Sequence, residues 1–292
     1  MNKRTKAELY LLSITFIWGS TFVVTKFVLR DAGPFLYTFI RFVVAALIFT
    51  VIFLPRLRTI GRSSAAKGAI LGVLLFIGFA TQTVGLLYTT ASNSAFITGM
   101  MVVFTPICQL LIERKPPRIG NIVGVALVTV GLYFLTSPTG ASFNIGDGLT
   151  LLCALSFGFY IVYLDIFSQD CEAVHLTFMQ FVTTAVLAGL SFFIFEDFRL
   201  TVNFEFTAGV LYLAVFATVV ALFVQAKYQK DTTPTRSAVV FSTEPVIAGI
   251  VAYVVLNEHL GNLGILGAGL ITAGVLVSEF SDSIFKSLSV SE

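Results

Sequence analysis

Glu244 and Pro245 stand side by side in a stretch, Ser237 to Leu256, in which Glu244 is the only charged side chain. A carboxylate at the centre of an apolar span costs about 2.5–3.5 kcal/mol even on the lenient insertion scales. It must be neutral, paired, or placed in a wet cavity. A protonated glutamic acid could donate a hydrogen bond between helices. A glutamate in a cavity could instead bind a substrate amine or titrate in a proton-coupled cycle. Pro245 removes the backbone donor that the carbonyl of Phe241 would use, and Pro106 does the same to Val102. A freed carbonyl in lipid is costly unless it faces protein or a water-filled cavity. The two prolines are therefore either static kinks or a pair of hinges.

Other side chains could join such a site. Trp18 is the only tryptophan and lies at the centre of the first apolar run, away from the interfacial belt that tryptophan favours. It could pack beside Gly19 or stack on a substrate. Tyr160 and Tyr163 offer a similar aromatic and hydroxyl surface. Gln82, Thr98, Ser242 and Thr243 add neutral hydrogen-bonding groups, although hydroxyls in spans mostly bond their own backbone. Arg41 falls about 10 Å inside its span at 1.5 Å rise per residue from Pro34. An arginine there needs carbonyls, a carboxylate or water, and it reads as a structural charge.

The solvent that positions these residues is a bilayer. Of the 292 residues 57% are hydrophobic and 12% charged, with a mean hydropathy of +0.93. A soluble domain carries about 25% charged residues. A helix needs about 20 mainly apolar residues to cross the hydrocarbon core. Ten such runs are predicted: 7–29, 34–54, 66–88, 92–112, 118–136, 146–166, 174–196, 206–226, 235–256 and 261–280. With the N-terminus inside, fourteen lysines and arginines fall on inner segments and three on outer ends. The positive-inside rule then makes both termini cytoplasmic, in a cell inner membrane, and the loop around Ser142 accessible from outside. The basic head and long apolar body of the first run lack a cleavage site and read as a span, not a signal peptide.

The sequence also repeats. At an offset of 139, Gly19 falls on Gly158, FIRFVVAA (39–46) on FMQFVTTA (178–185), and FTPI (104–107) on TEPV (243–246). GVALVTVG (124–131) matches GAGLITAG (267–274) after a shift of four. The unit has five helices, an odd number, so its second copy must be inverted. The expected fold is an all-α polytopic membrane protein of ten transmembrane helices, as two inverted five-helix repeats, 1–140 and 141–292. Inverted repeats with a binding site near the midplane are a recurrent transporter architecture. The small-residue spacings GNIVG (120–124) and GILGAGLITAG (264–274) suit close helix packing, within the chain or in a homodimer.

WGSTFVVTKF in helix 1, RF in helix 2, Pro-(Val/Ile) in helices 4 and 9, and LNEHL (256–260) resemble the EamA-type drug/metabolite transporter family. The resemblance implies a ten-helix exporter-like fold with a cavity lined by helices 1, 3, 4, 6, 8 and 9, and so without helix 2. Glu258 stands thirteen residues after Pro245, but Glu113 only seven after Pro106. Helix 4 is accordingly expected to be shortened.

Enzyme and nucleic-acid classes find no support. The histidines, His175 and His259, are far apart, and NEHL is not HExxH spacing. There is no P-loop or GxSxG elbow, no basic stripe for nucleic acid, and no metal-ligand spacing among Cys108, Cys153 and Cys171. No cofactor or metal is expected; the partners are the lipid bilayer and a small-molecule substrate. The expected function is secondary export, by alternating access, of a small polar or amphipathic metabolite such as an amino acid or relative. A sugar phosphate would call for several cations in the central spans. Export of hydrophobic or cationic drugs is the alternative, and a membrane scaffold or enzyme is a third.

Overall fold

The computed structural model describes residues 2–136, 144–256 and 262–289. Ser142, Glu258 and His259 lie outside the described residues. Among the described residues ten helical spans make up the bundle: α1 (Lys3–Val28), α2 (Pro34–Leu57), α3 (Arg62–Gly85), α4 (Ala91–Gly99 and Met101–Glu113) and α5 (Ile119–Thr136) make the first repeat. The second contains α6 (Ile145–Asp170), α7 (Ala173–Phe195), α8 (Phe204–Asp231), α9 (Pro234–Phe241 and Glu244–Leu256) and α10 (Asn262–Ser289). Eight are long and apolar enough to cross a membrane, and α5 and α10 supply two shorter apolar segments.

Burial follows the solvent predicted from composition. Large apolar side chains point outward, Phe204 at 86% and Val51 at 83% exposure, while buried polar groups gather inside the bundle. The starts of α4, α6 and α9 are fixed by local capping. Thr90, Asn144 and Thr233 each accept a hydrogen bond from a backbone N–H of the first turn, satisfying donors that a helix start leaves orphaned.

Contacts between elements obey the repeat. α5 packs along α10, α2 along α7, α1 along the second half of α9, and the second half of α4 along α6. Glycine makes the closest approaches possible. A Cβ on Gly131 would lie 2.7 Å from the Gly267 carbonyl oxygen, and one on Gly274 2.8 Å from that of Gly124. A Cβ on Gly19 would meet Ile247 and Ala248, and one on Gly158 would meet Phe104 and Thr105. These are the same two contacts made once by each repeat.

Helix 4 is not shortened. Its halves have 9 and 13 residues, and those of α9 have 8 and 13. The proline spacing misled because four extra residues precede Pro106 relative to Pro245. Thr89-Thr90-Ala91-Ser92-Asn93-Ser94-Ala95 matches Thr232-Thr233-Pro234-Thr235-Arg236-Ser237-Ala238 at an offset of 143, whereas the prolines match at 139. One helical turn has moved across the proline with no change in overall length.

Candidate functional site

α4 and α9 are each interrupted near mid-span. In α9 the helical ladder ends at Phe241. Ser242 N–H reaches back to Ala238 and Val239, Thr243 N–H to Val240, and Val246 N–H to Thr243. Pro245 offers no N–H to the Phe241 carbonyl, and among the described residues no backbone N–H reaches the carbonyl of Ser242. Pro245 is the second residue of the resumed helix, where the missing N–H costs little. In α4 the interruption is at Met100, with tight turns from Met100 N–H to Ile97 and from Val103 N–H to Met100. Pro106 lies inside the continuous second half of α4, so it does not make that break. The two interruptions meet: a Cβ on Gly99 would lie 2.9 Å from Cγ of Pro245.

A cavity lies where they cross. Its walls come from the two repeats in equivalent pairs. Trp18 faces the cavity as Phe157 does, and Thr21 as Tyr160 does, at an offset of 139. Gln82 and Gln225, Phe79 and Leu222, Thr98 and Phe241, and Met101 and Glu244 pair at 143. The cavity therefore sits on the axis that relates the repeats.

The charges break this symmetry. Glu244 opens the second half of α9, is 7% exposed and borders the cavity. Its counterpart is Met101. Arg41 also borders the cavity at 3% exposure, and its counterpart on α7 is Gln180. Nε of Arg41 donates to Thr218 Oγ1 at 2.7 Å and NH1 to the Tyr37 hydroxyl at 3.1 Å. The guanidinium lies 4.6 Å from the Phe79 ring centroid, a cation–π distance. Among the described residues neither Arg41 nor Glu244 forms an ion pair.

α8 prepares the arginine's place. Leu213–Val220 is π-helical, a distortion that often marks functional sites. Thr218 donates to the carbonyl of Leu213 while accepting from Arg41. The Ala217 carbonyl accepts the Trp18 indole N–H at 3.1 Å. Trp18 also meets Phe241 edge to face, with centroids 5.3 Å apart. Tyr160 donates to Gln180 Oε1, and Gln82 donates to Thr98 Oγ1.

Of the residues singled out in the sequence, Trp18, Gln82, Thr98, Tyr160 and Glu244 thus border one cavity. Arg41 corrects its assignment as a purely structural charge, because α2 contributes it to the wall. Tyr163 is not a wall residue; it packs on Phe167 with centroids 5.5 Å apart. Ser242 and Thr243 do not line the cavity either. Their hydroxyls bond the carbonyls of Val239 and Val240 and so stabilise the interruption itself, with Thr243 also reaching Thr15 on α1. His175 is structural, its Nε2 lying 3.0 Å from the Arg56 carbonyl. Sequence reasoning missed Thr21 and Gln225, both of which the repeat would have found once Tyr160 and Gln82 were chosen. The π-helical turn left no signal in LAVFATVV.

A membrane-embedded bundle of two inverted repeats, built around a cavity at the crossing of two interrupted helices, is the architecture of a carrier. The chain belongs to the EamA-like transporter family, whose profile matches residues 5–137 and again 144–280. It is 37% identical over 275 residues to an uncharacterized transporter of Archaeoglobus fulgidus, covering 94% of this chain and 86% of that one. It is 21% identical to the uncharacterized transporter YoaV of Bacillus subtilis, over 95% of this chain and 98% of the relative. The WAT1-related chloroplastic protein At3g02690 of Arabidopsis thaliana is 24% identical over 93% of this chain and 69% of its own. A solved crystal structure shares the fold with a TM-score of 0.77 at 18% identity, covering 94% of this chain and 96% of that chain.

Proposed function

We propose that this transporter exports a small zwitterionic metabolite, an amino acid or a close relative, by alternating access across a cell inner membrane, with both termini cytoplasmic. The observation that carries the reading is the presence of Arg41 and Glu244, opposite in charge and without an ion-pair partner, on one cavity. A zwitterion supplies both missing partners. Its ammonium would meet Glu244 and the freed carbonyls of the α9 interruption. Its carboxylate would meet the guanidinium donors that Thr218 and Tyr37 leave over. Charge-assisted hydrogen bonds of this kind are roughly twice as strong as neutral ones. Trp18, Phe79 and Phe157 offer apolar surface to a side chain.

Export of cationic amphiphiles is the second reading, favoured by the same aromatic wall with a single carboxylate. Arg41 argues against it, because a cation entering the cavity would be repelled by the guanidinium. Glu244 is in either case the group able to carry a coupling proton. Flux of radiolabelled amino acids, sugars and cationic dyes in proteoliposomes tests both. Amino acid flux that N-acetylation of the solute abolishes supports the first reading. Flux confined to cationic dyes would replace it with the second.

A further inference from the structure

The ends of the bundle carry a feature that the cavity does not use. At the end holding the N-terminus, Glu8 of α1 is buried and its Oε1 accepts from the Thr232 hydroxyl at 2.8 Å and from Arg236 Nε at 2.7 Å. At the opposite end Asp147 of α6 is buried, and its Oδ1 accepts from the Thr89 hydroxyl, also at 2.8 Å. Glu8 and Asp147 are repeat equivalents at 139, and Thr89 and Thr232 at 143. The neighbouring threonines match as well, Thr90 capping α4 through Asn93 N–H and Thr233 capping α9 through Arg236 N–H. Each carboxylate–threonine contact joins one repeat to the other. Each ties the first helix of one repeat to the start of the interrupted helix of the other, whose far half borders the cavity.

We infer that these two contacts are latches that close opposite ends of the cavity, and that they are unequal. The latch at the N-terminal end holds a buried arginine, Arg236, where the other has Asn93. Arg4 adds a second cation, 3.9 Å from Glu8 Oε1. Opening that end separates buried opposite charges. Opening the far end breaks a hydrogen bond between a hydroxyl and Asp147, whose other oxygen stays occupied by Asn144 N–H. Of these two contacts the one at the N-terminal end is therefore the harder to break, and solute must supply the difference in interaction free energy that opens it. The inference rests on alternating access as the mode of transport.

Spin-label distances in the full-length protein in lipid nanodiscs test it, with Cys108, Cys153 and Cys171 replaced by alanine. Labels at Lys3 and Lys230, both exposed, report the N-terminal end, and labels at Leu87 and Ile145, both exposed, report the other. Glu8→Gln is expected to raise the long-distance population of the Lys3–Lys230 pair at least about tenfold, because it removes the carboxylate charge from a buried ion pair. Thr89→Val is expected to lengthen only the Leu87–Ile145 pair, by about threefold in population, as loss of one net hydrogen bond implies. Should Glu8→Gln fail to fold, Thr232→Val keeps the charges and is expected to lengthen the Lys3–Lys230 pair about threefold. Unchanged distances in Thr232→Val and Thr89→Val would overturn the latches, as would opening of both ends by either variant. Wild-type solute flux with no such distance changes overturns the latches alone. The stated distance changes without flux of any solute overturn the transport reading and leave the latches standing.

Discussion

α4 and α9 are the same interrupted helix used twice, yet only α9 places a carboxylate on the cavity. α4 presents Thr98, Gly99, Met100 and Met101 around its break, and α9 presents Phe241, Ser242, Thr243 and Glu244. The backbone event is shared: both breaks are tight turns, and the two touch through Gly99 and Pro245. What differs is the side chain at the first residue after the break. The same holds across the cavity, where Arg41 stands opposite the repeat position of Gln180. Symmetry pairs the walls of the cavity, and the departures from symmetry place Arg41 and Glu244 on it. Under the proposed function these two side chains are its positive and negative poles.

The largest expected effect comes from erasing the negative pole. Glu244→Gln keeps shape and hydrogen bonding but removes the charge, and flux of an amine-bearing solute should fall about 100-fold or more, in the range for a broken buried charge pair. Normal membrane insertion with wild-type flux and an unchanged pH profile would make Glu244 a structural acid. Arg41→Gln installs the residue of the equivalent position. It should cut flux about 30-fold, and Arg41→Lys should restore only part of it, because lysine cannot match a carboxylate bidentately.

The packing contacts that the repeats share rank next. A Cβ on Gly19 would lie 2.6 Å from Ile247 Cγ2, while the nearest atom to one on Gly158 is 3.1 Å away. Gly19→Ala should therefore destabilise by about 1–3 kcal/mol, as overpacking does, and Gly158→Ala by less, both read from thermal unfolding in detergent. Equal losses would contradict the unequal spacing. The prolines come last. Pro245 touches the α4 break and Pro106 does not form one, so Pro245→Ala should slow turnover a few-fold with little change in solute affinity. Pro106→Ala should stay near wild type. Matching effects at the two sites would return the prolines to the role of paired hinges.

The sequence made the frame legible because a bilayer imposes it. Apolar run length marks a span whatever the packing inside, and an odd repeat must invert. Glu244 was visible for the same reason, as a charge with no apolar excuse. The breaks were harder to place. Proline is the one residue that announces a break, so it drew attention to Pro106, whereas the turn at Met100 is made by ordinary residues beside Gly99. The four-residue displacement between the Thr-Thr motifs and the prolines hid the true correspondence, and with it the pairing of Met101 with Glu244. Tyr163 shows the limit of face arguments, since one turn beyond Tyr160 it packs on Phe167, outside the cavity. Arg41 was misplaced because its pocket is made by a π-helical turn in α8 that no spacing betrays.

The central claim is that one solute bridges Glu244 and Arg41, and a double-mutant binding cycle tests it most directly. Equilibrium binding would be measured for the amino acid selected by the flux screen and for its N-acetyl and carboxamide derivatives, on wild type, Glu244→Gln and Arg41→Gln. If the poles act as assigned, N-acetylation weakens binding to wild type and to Arg41→Gln but not further to Glu244→Gln. Amidation then weakens binding to wild type and Glu244→Gln but not further to Arg41→Gln. Additive losses in both cycles would mean that neither charge touches the group assigned to it, and would contradict the account.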